Sequence, residues 1–106
     1  MNSIYIDTTD NTKVLVKLTI DSKEFVKEQK VEARSAQLVL PLLSQLLKEH
    51  NMSPKDLNEI KVQVGPGSFT GIRVGVSIAN ALAFALQIPV NKTKIIQGKT
   101  HIEPVY

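Results

Sequence analysis

Residues 65–73 read Gly65-Pro66-Gly67-Ser68-Phe69-Thr70-Gly71-Ile72-Arg73. They stand between an alternating run, Ile60, Val62 and Val64, and a long segment that is almost wholly apolar. That placement predicts a tight strand-to-helix turn inside an α/β domain. Pro66 fixes its own φ, and a glycine on each side permits the positive φ and close backbone approach that such a bend requires. Ser68 and Thr70 are both suited to cap the helix that follows. Arg73 falls near its first turn, where the helix dipole disfavours a cation, so its charge answers to something outside the helix. A phosphate-binding loop is the sharper alternative for the turn, but the Gly-Lys-Ser/Thr ending and the G-x-G-x-x-G order are both missing. A docking surface is the third reading, and the helix itself favours it.

That helix is expected over residues 70–87. It carries Gly71, Gly75 and Ala79 at successive i+4 steps with Ala83 beside them, a stripe of small residues that predicts close approach by another backbone. Ile72, Val74, Val76, Ile78, Leu82, Phe84 and Leu86 occupy the remaining circumference, and only Arg73, Ser77, Asn80 and Gln87 interrupt it. A helix apolar nearly all round must be covered on its outer side, and in a domain this small the expected cover is another chain.

Upstream, residues 3–7 predict a short strand. Val14, Val16, Leu18 and Ile20 alternate as a half-buried second strand, and a weaker third runs over residues 24–31, closing an antiparallel meander. Ser35 is placed to cap a helix running to about residue 50, with Pro41 predicting a kink or a late start. Val39, Leu40, Leu42, Leu43, Leu46 and Leu47 fill more of this helix's surface than one packing face needs. Ser53-Pro54-Lys55-Asp56 has the cap, the proline and the acid of a short helical turn. After Pro89, residues 90–97 suggest a last strand. The order is β-β-β-α-β-α-β, a five-stranded mixed sheet with two main helices whose first, fourth and fifth strands are parallel. Lys61 and Gln63, with Lys17, Lys92 and Lys94, predict a solvated and basic sheet face where a parallel sheet is ordinarily covered.

With 106 residues the chain has room for one core. It has no cysteine, so disulfides and thiolate chemistry are excluded and a reducing cytoplasm is the expected compartment. No signal peptide or membrane span is predicted, because Arg73, Ser77 and Asn80 break the longest apolar stretch. The net charge of +3 is dispersed along the chain, and five aromatic residues supply little for stacking bases, so direct sequence-specific binding of nucleic acid is not expected. Asp10 and Asp21 lie in turns, where Asp bonds its own backbone. His50 and His101 have no ligand-spaced partner, so no metal site is expected. Ser68 lacks the G-x-S-x-G order of a nucleophile elbow and has no evident base.

The run Val64-Gly65-Pro66-Gly67-Ser68-Phe69-Thr70-Gly71-Ile72-Arg73-Val74-Gly75, followed by the apolar segment to Pro89, resembles the signature of the TsaB (YeaZ) family. The likeness extends to Ile4-Tyr5-Ile6-Asp7-Thr8-Thr9 and to Gln37-Leu38-Val39-Leu40-Pro41. It covers most of this chain but the first half of an ordinary member, so residues 1–106 are expected to be a single TsaB-like N-terminal domain with the usual second domain absent. The resemblance implies a ribonuclease H-like half-domain of the actin-like ATPase superfamily. It implies a non-catalytic scaffold that docks a TsaD-like catalytic subunit in biosynthesis of threonylcarbamoyladenosine on tRNA. A TsaE-like ATPase is a further partner it implies, with tRNA contacted only indirectly. In that role the interface is expected to use Leu43, Leu46 and Leu47 from the first helix and Thr70, Arg73, Val74, Ser77 and Ala81 from the second. Close helix packing at Gly71, Gly75 and Ala79 is expected to make Gly75 essential to it. Asp7, Thr8 and Thr9 resemble a vestigial phosphate loop, with ATP and magnesium bound, if at all, only at a shared interface. The family's His-Ser pair before Gln37 is replaced here by Ser35-Ala36. Two alternatives use the same residues: a homodimer through the same helices, and a degenerate nucleotide-binding or peptidase-like enzyme.

Overall fold

A computed structural model describes residues 1–10, 12–31 and 36–91 of the chain. Strand β1 (Asn2–Asp7) is followed by β2 (Lys13–Ile20), and Asp21, at φ 54°, joins Ser22 in the tight turn to β3 (Lys23–Lys30). Helix α1 (Ala36–Glu49) and a 3₁₀ turn (Pro54–Asp56) lead to β4 (Glu59–Val62), and α2 (Phe69–Leu86) follows the glycine turn. The sheet order is β3-β2-β1-β4, with β1 antiparallel to β2 and parallel to β4.

Register explains the core. Phe25, Leu18, Ile4 and Ile60 stand on one rung across the four strands, and Val16, Ile6 and Val62 on the next inward-facing one. Every second residue therefore meets the same face, and Ile4, Ile6, Val16, Leu18 and Ile60 are fully buried. Both helices lie on that face, α1 over β2 and β3, and α2 over β4 and β1. The end of α1 is tied to β3 twice, by the His50 ring 4.0 Å from Phe25 and by a 2.8 Å ion pair between Lys27 and Glu49.

Val90 forms a parallel bridge to Ile60, and the Asn91 amide brackets Val62, donating to its carbonyl at 3.0 Å and accepting from its N–H at 2.8 Å. This places the start of the expected fifth strand beside β4 in the predicted direction; residues 92–97 lie outside the described residues. The first helix starts at Ala36, ahead of Pro41, so the proline causes no late start; its expected cap, Ser35, is outside the described residues. By length and mean hydropathy α2 could cross a bilayer. Here one side of it is buried on the sheet through Gly71, Ile72, Gly75, Val76, Ala79 and Ala83, as in a domain core.

Candidate functional site

The glycine turn is clamped to the end of β1. Gly65 and Gly67 have φ of 126° and 158°, with a cis peptide between Gly65 and Pro66. The Ser68 N–H donates to the Thr9 carbonyl at 2.7 Å, and a Cβ on Gly67 would come within 2.7 Å of both the Thr9 Cβ and its carbonyl oxygen. Ser68, not Thr70, caps α2: its hydroxyl accepts from the Gly71 N–H at 3.2 Å. Thr8 lies under the first turns of the helix, 1% exposed, its hydroxyl donating to the Gly71 carbonyl at 2.5 Å.

This geometry changes the expected role of the small-residue stripe. A Cβ on Gly71 would overlap the Thr8 carbonyl oxygen, and one on Gly75 would overlap the Thr8 hydroxyl. The backbone that comes close belongs to Thr8 of the same chain, and Ala79, fully buried, continues the stripe into the core. Gly71, Gly75 and Ala79 thus serve the domain's own packing and not a helix–helix contact with another chain. The phosphate-loop residues are engaged in the same clamp. Asp7 Oδ1 accepts from the Thr9 N–H at 2.9 Å and from the Thr9 hydroxyl at 2.6 Å, so both threonine hydroxyls have partners inside the protein.

Among the described residues, no element packs over the opposite side of α2. Thr70, Arg73, Ser77 and Ala81 are exposed and Val74 half-buried, all on one stripe of i+3 and i+4 steps. Phe69, Thr70, Arg73, Val74, Ser77 and Ile78 line a shallow groove of about 380 Å³. Phe69 and Phe84 stand 55% and 53% exposed at the two ends of this face, and the Arg73 guanidinium lies 5.3 Å from the Phe69 ring centroid. The five α2 positions expected at an interface are therefore together and accessible.

The α1 positions are not. Leu46 is 1% exposed, and Leu43 and Leu47 reach the surface only as the floor of a second groove, of about 450 Å³, between α1, the 3₁₀ turn and Leu82. Their area is already buried against the sheet, leaving little for a second surface to gain. The large hydrophobic residue that α1 exposes is Leu40, at 50%. Leu40 and Phe84 are exposed apolar residues outside the interface positions expected from the sequence, and Phe69 was expected only as part of the turn. Phe84 could have been found, because 70, 73, 77, 81 and 84 continue one helical series. Leu40 could not, because only the sheet's position decides which part of an over-wide apolar arc faces outward.

The uncovered sheet face also differs from expectation. Lys17 and Lys61 lie on the same side, as expected, on one rung with Tyr5 between them, and the Lys17 ammonium is 5.2 Å from the Tyr5 ring. Among the described residues, however, Lys13, Lys17, Lys30 and Lys61 on that face are balanced by Asp7, Glu24, Glu28 and Glu59. Ion pairs join Lys13 to Glu28 and Lys17 to Glu24, so the face is mixed in charge and not basic; Lys92 and Lys94 lie outside the described residues. Tyr5 donates its hydroxyl to Gln63 at 3.0 Å, and burial, followed by the charge and hydrogen bond of Asp7, pushes its pKa above 10.0. Among the described residues no three His, Cys, Asp or Glu are grouped to hold a metal ion.

A meander joined to a parallel β1–β4 pair, with both helices on one face and a clamped turn feeding the second, is the ribonuclease H-like half-domain of the actin-like ATPases. Solved structures agree: YeaZ from Pseudomonas aeruginosa superposes with a TM-score of 0.79 at 30% identity, over 84% of this chain and 41% of that one. A family model described as TsaD, tRNA N6-adenosine threonylcarbamoyltransferase, matches residues 15–102, and the chain belongs to that family. The tRNA threonylcarbamoyladenosine biosynthesis protein TsaB of Bacillus subtilis is 32% identical over 97 residues, 92% of this chain and 42% of the relative. TsaB of Escherichia coli is 40% identical over 53 residues, half of this chain and 23% of the relative. A tRNA N6-adenosine threonylcarbamoyltransferase of Cytophaga hutchinsonii is 41% identical over 66 residues, 62% of this chain and 19% of the relative. The chain thus spans less than half the length of each of these proteins.

Proposed function

We propose that the chain is a non-catalytic, TsaB-like subunit in biosynthesis of threonylcarbamoyladenosine on tRNA, and that it docks a TsaD-like catalytic protein through the outer face of α2 and Leu40 of α1. The observation that carries this reading is the open stripe itself. Val74, Ala81 and Phe84 leave apolar area in water along one side of the helix, and a partner helix laid along them would bury it. The names of the TsaB relatives support the pathway. In this proposal a TsaE-like ATPase joins the assembled complex, tRNA is met only through it, and the work is done in the cytoplasm. ATP and magnesium bind only where a second domain or subunit closes the cleft.

The test is light-scattering chromatography of the protein alone and mixed with the threonylcarbamoyltransferase relative of the same organism. A one-to-one complex that Phe84→Asp abolishes, in a variant that melts like the parent, is expected. A particle that remains a homodimer and never takes up the second protein refutes docking and assigns the face to self-association.

A further inference from the structure

Arg73 is the only charged residue of α2, and among the described residues it has no carboxylate within ion-pair distance. It is exposed, lines the groove, and is oriented by the Phe69 ring at 5.3 Å. Near a helix N-terminus the dipole adds modest repulsion, so while the face is exposed water and the Phe69 ring hold the cation, and once the face is covered an anion has to replace the water. Covering the groove without supplying that anion would bury an unpaired guanidinium, which is strongly unfavourable.

A second copy of this chain is a poor source of it. Of the ten Asp and Glu in the sequence, Glu49 alone lies on either helix, and it already pairs with Lys27 at 2.8 Å. In an isologous dimer across α2 each Arg73 would meet the same stripe of its partner, which carries no acidic residue. Resting on the docking reading above, we infer that the occupant of this face is a different protein whose docking helix carries an Asp or Glu opposite Arg73. That carboxylate accepts from the guanidinium inside the covered groove, where both charges are desolvated. Shape and apolar area leave self-association and heteromeric docking equally served, and the carboxylate decides between them.

The experiment titrates wild type, Arg73→Glu, Arg73→Gln and Arg73→Lys with the threonylcarbamoyltransferase relative of the same organism by calorimetry, and follows self-association of each by sedimentation. Arg73 is exposed, so melting curves of all four are expected to coincide. Arg73→Glu is expected to weaken the heteromeric complex by at least about 30-fold, the scale of losing one desolvated charge pair. Arg73→Gln should lose less, and Arg73→Lys least, since a point charge replaces the fork but keeps the sign. Replacing the facing carboxylate of the other protein by Arg should restore binding to Arg73→Glu, and self-association should not respond to any of these changes. Equal binding of wild type and Arg73→Glu overturns the inference while leaving the docking reading intact. Failure of the wild type to bind overturns both. Loss of self-association in Arg73→Glu with no effect on the heteromer shows that a second copy occupies the face.

Discussion

Gly75→Ala separates two accounts of the small-residue stripe. On helix propensity alone this change, in the middle of an 18-residue helix, should stabilise by about 1 kcal/mol. The structure predicts the opposite, because the added methyl would overlap the Thr8 hydroxyl, and Thr8 is 1% exposed with that hydroxyl bonded to the Gly71 carbonyl. Forcing the two apart costs about 1–3 kcal/mol in overpacking, and rotating the hydroxyl away forfeits a hydrogen bond of about 0.5–1.5 kcal/mol. Set against the propensity gain, the net is a loss of roughly 0.5–3.5 kcal/mol, or a melting midpoint lower by roughly 2–28 °C for a domain of this size.

Thr8→Ala supplies the control. It removes the clashing oxygen and leaves the Thr8 Cβ 3.5 Å from the new methyl, ordinary van der Waals contact. Thr8→Ala alone should cost about 1 kcal/mol, and the double variant Thr8→Ala, Gly75→Ala should be no less stable than it, since alanine then contributes only its helix preference. Urea unfolding of the four proteins closes the cycle. A Gly75→Ala protein as stable as wild type, or single-variant losses that simply add, would refute the close approach of α2 to Thr8. The same reasoning removes Gly75 as a probe of docking, because loss of binding in a bulky variant would report damage to the fold.

Phe84→Asp should leave stability within about 0.5 kcal/mol, as for other exposed sites, yet weaken capture of the partner protein by about 2 kcal/mol or more; a pull-down and a melt of the same preparation check both. Leu46→Ala, by contrast, should cost about 2–5 kcal/mol in urea unfolding, because Leu46 is core and not interface. The raised pKa of Tyr5 stabilises the fold fully below pH 10.0 and is lost as pH rises through its folded value. Unfolding followed against pH should therefore show an alkaline loss that Tyr5→Phe removes; an unchanged slope in that variant refutes the assignment. ATP with magnesium should leave the melting midpoint of the isolated chain unmoved, since Thr8 and Thr9 hold their hydroxyls inside; a concentration-dependent rise shows instead that the half-domain binds nucleotide unaided.

Strand and helix identities were legible in the chain because period-2 and period-3.6 patterns are local. Val14, Val16 and Leu18 announced β2, and Ser68 with the apolar run behind it announced the start of α2. The glycine turn was legible for the same reason, since positive φ at Gly65 and Gly67 is a property of one residue and its neighbours. The direction of packing was not. Gly71 and Gly75 look alike whether the approaching backbone belongs to another chain or to Thr8, sixty-odd residues upstream, because a pattern of small side chains specifies closeness and not the identity of the neighbour. Leu46 and Leu40 are equally apolar, and only the sheet beneath α1 separates core from surface. The charge of the other sheet face likewise depended on register, since alternation along β2 shows Lys13 and Lys17 but cannot bring Glu28 and Glu24 of β3 alongside. Among the described residues, local periodicity therefore sufficed for four strands, two helices and their order. Which face of each element meets which other came from long-range pairing, where the free energy of burial is settled.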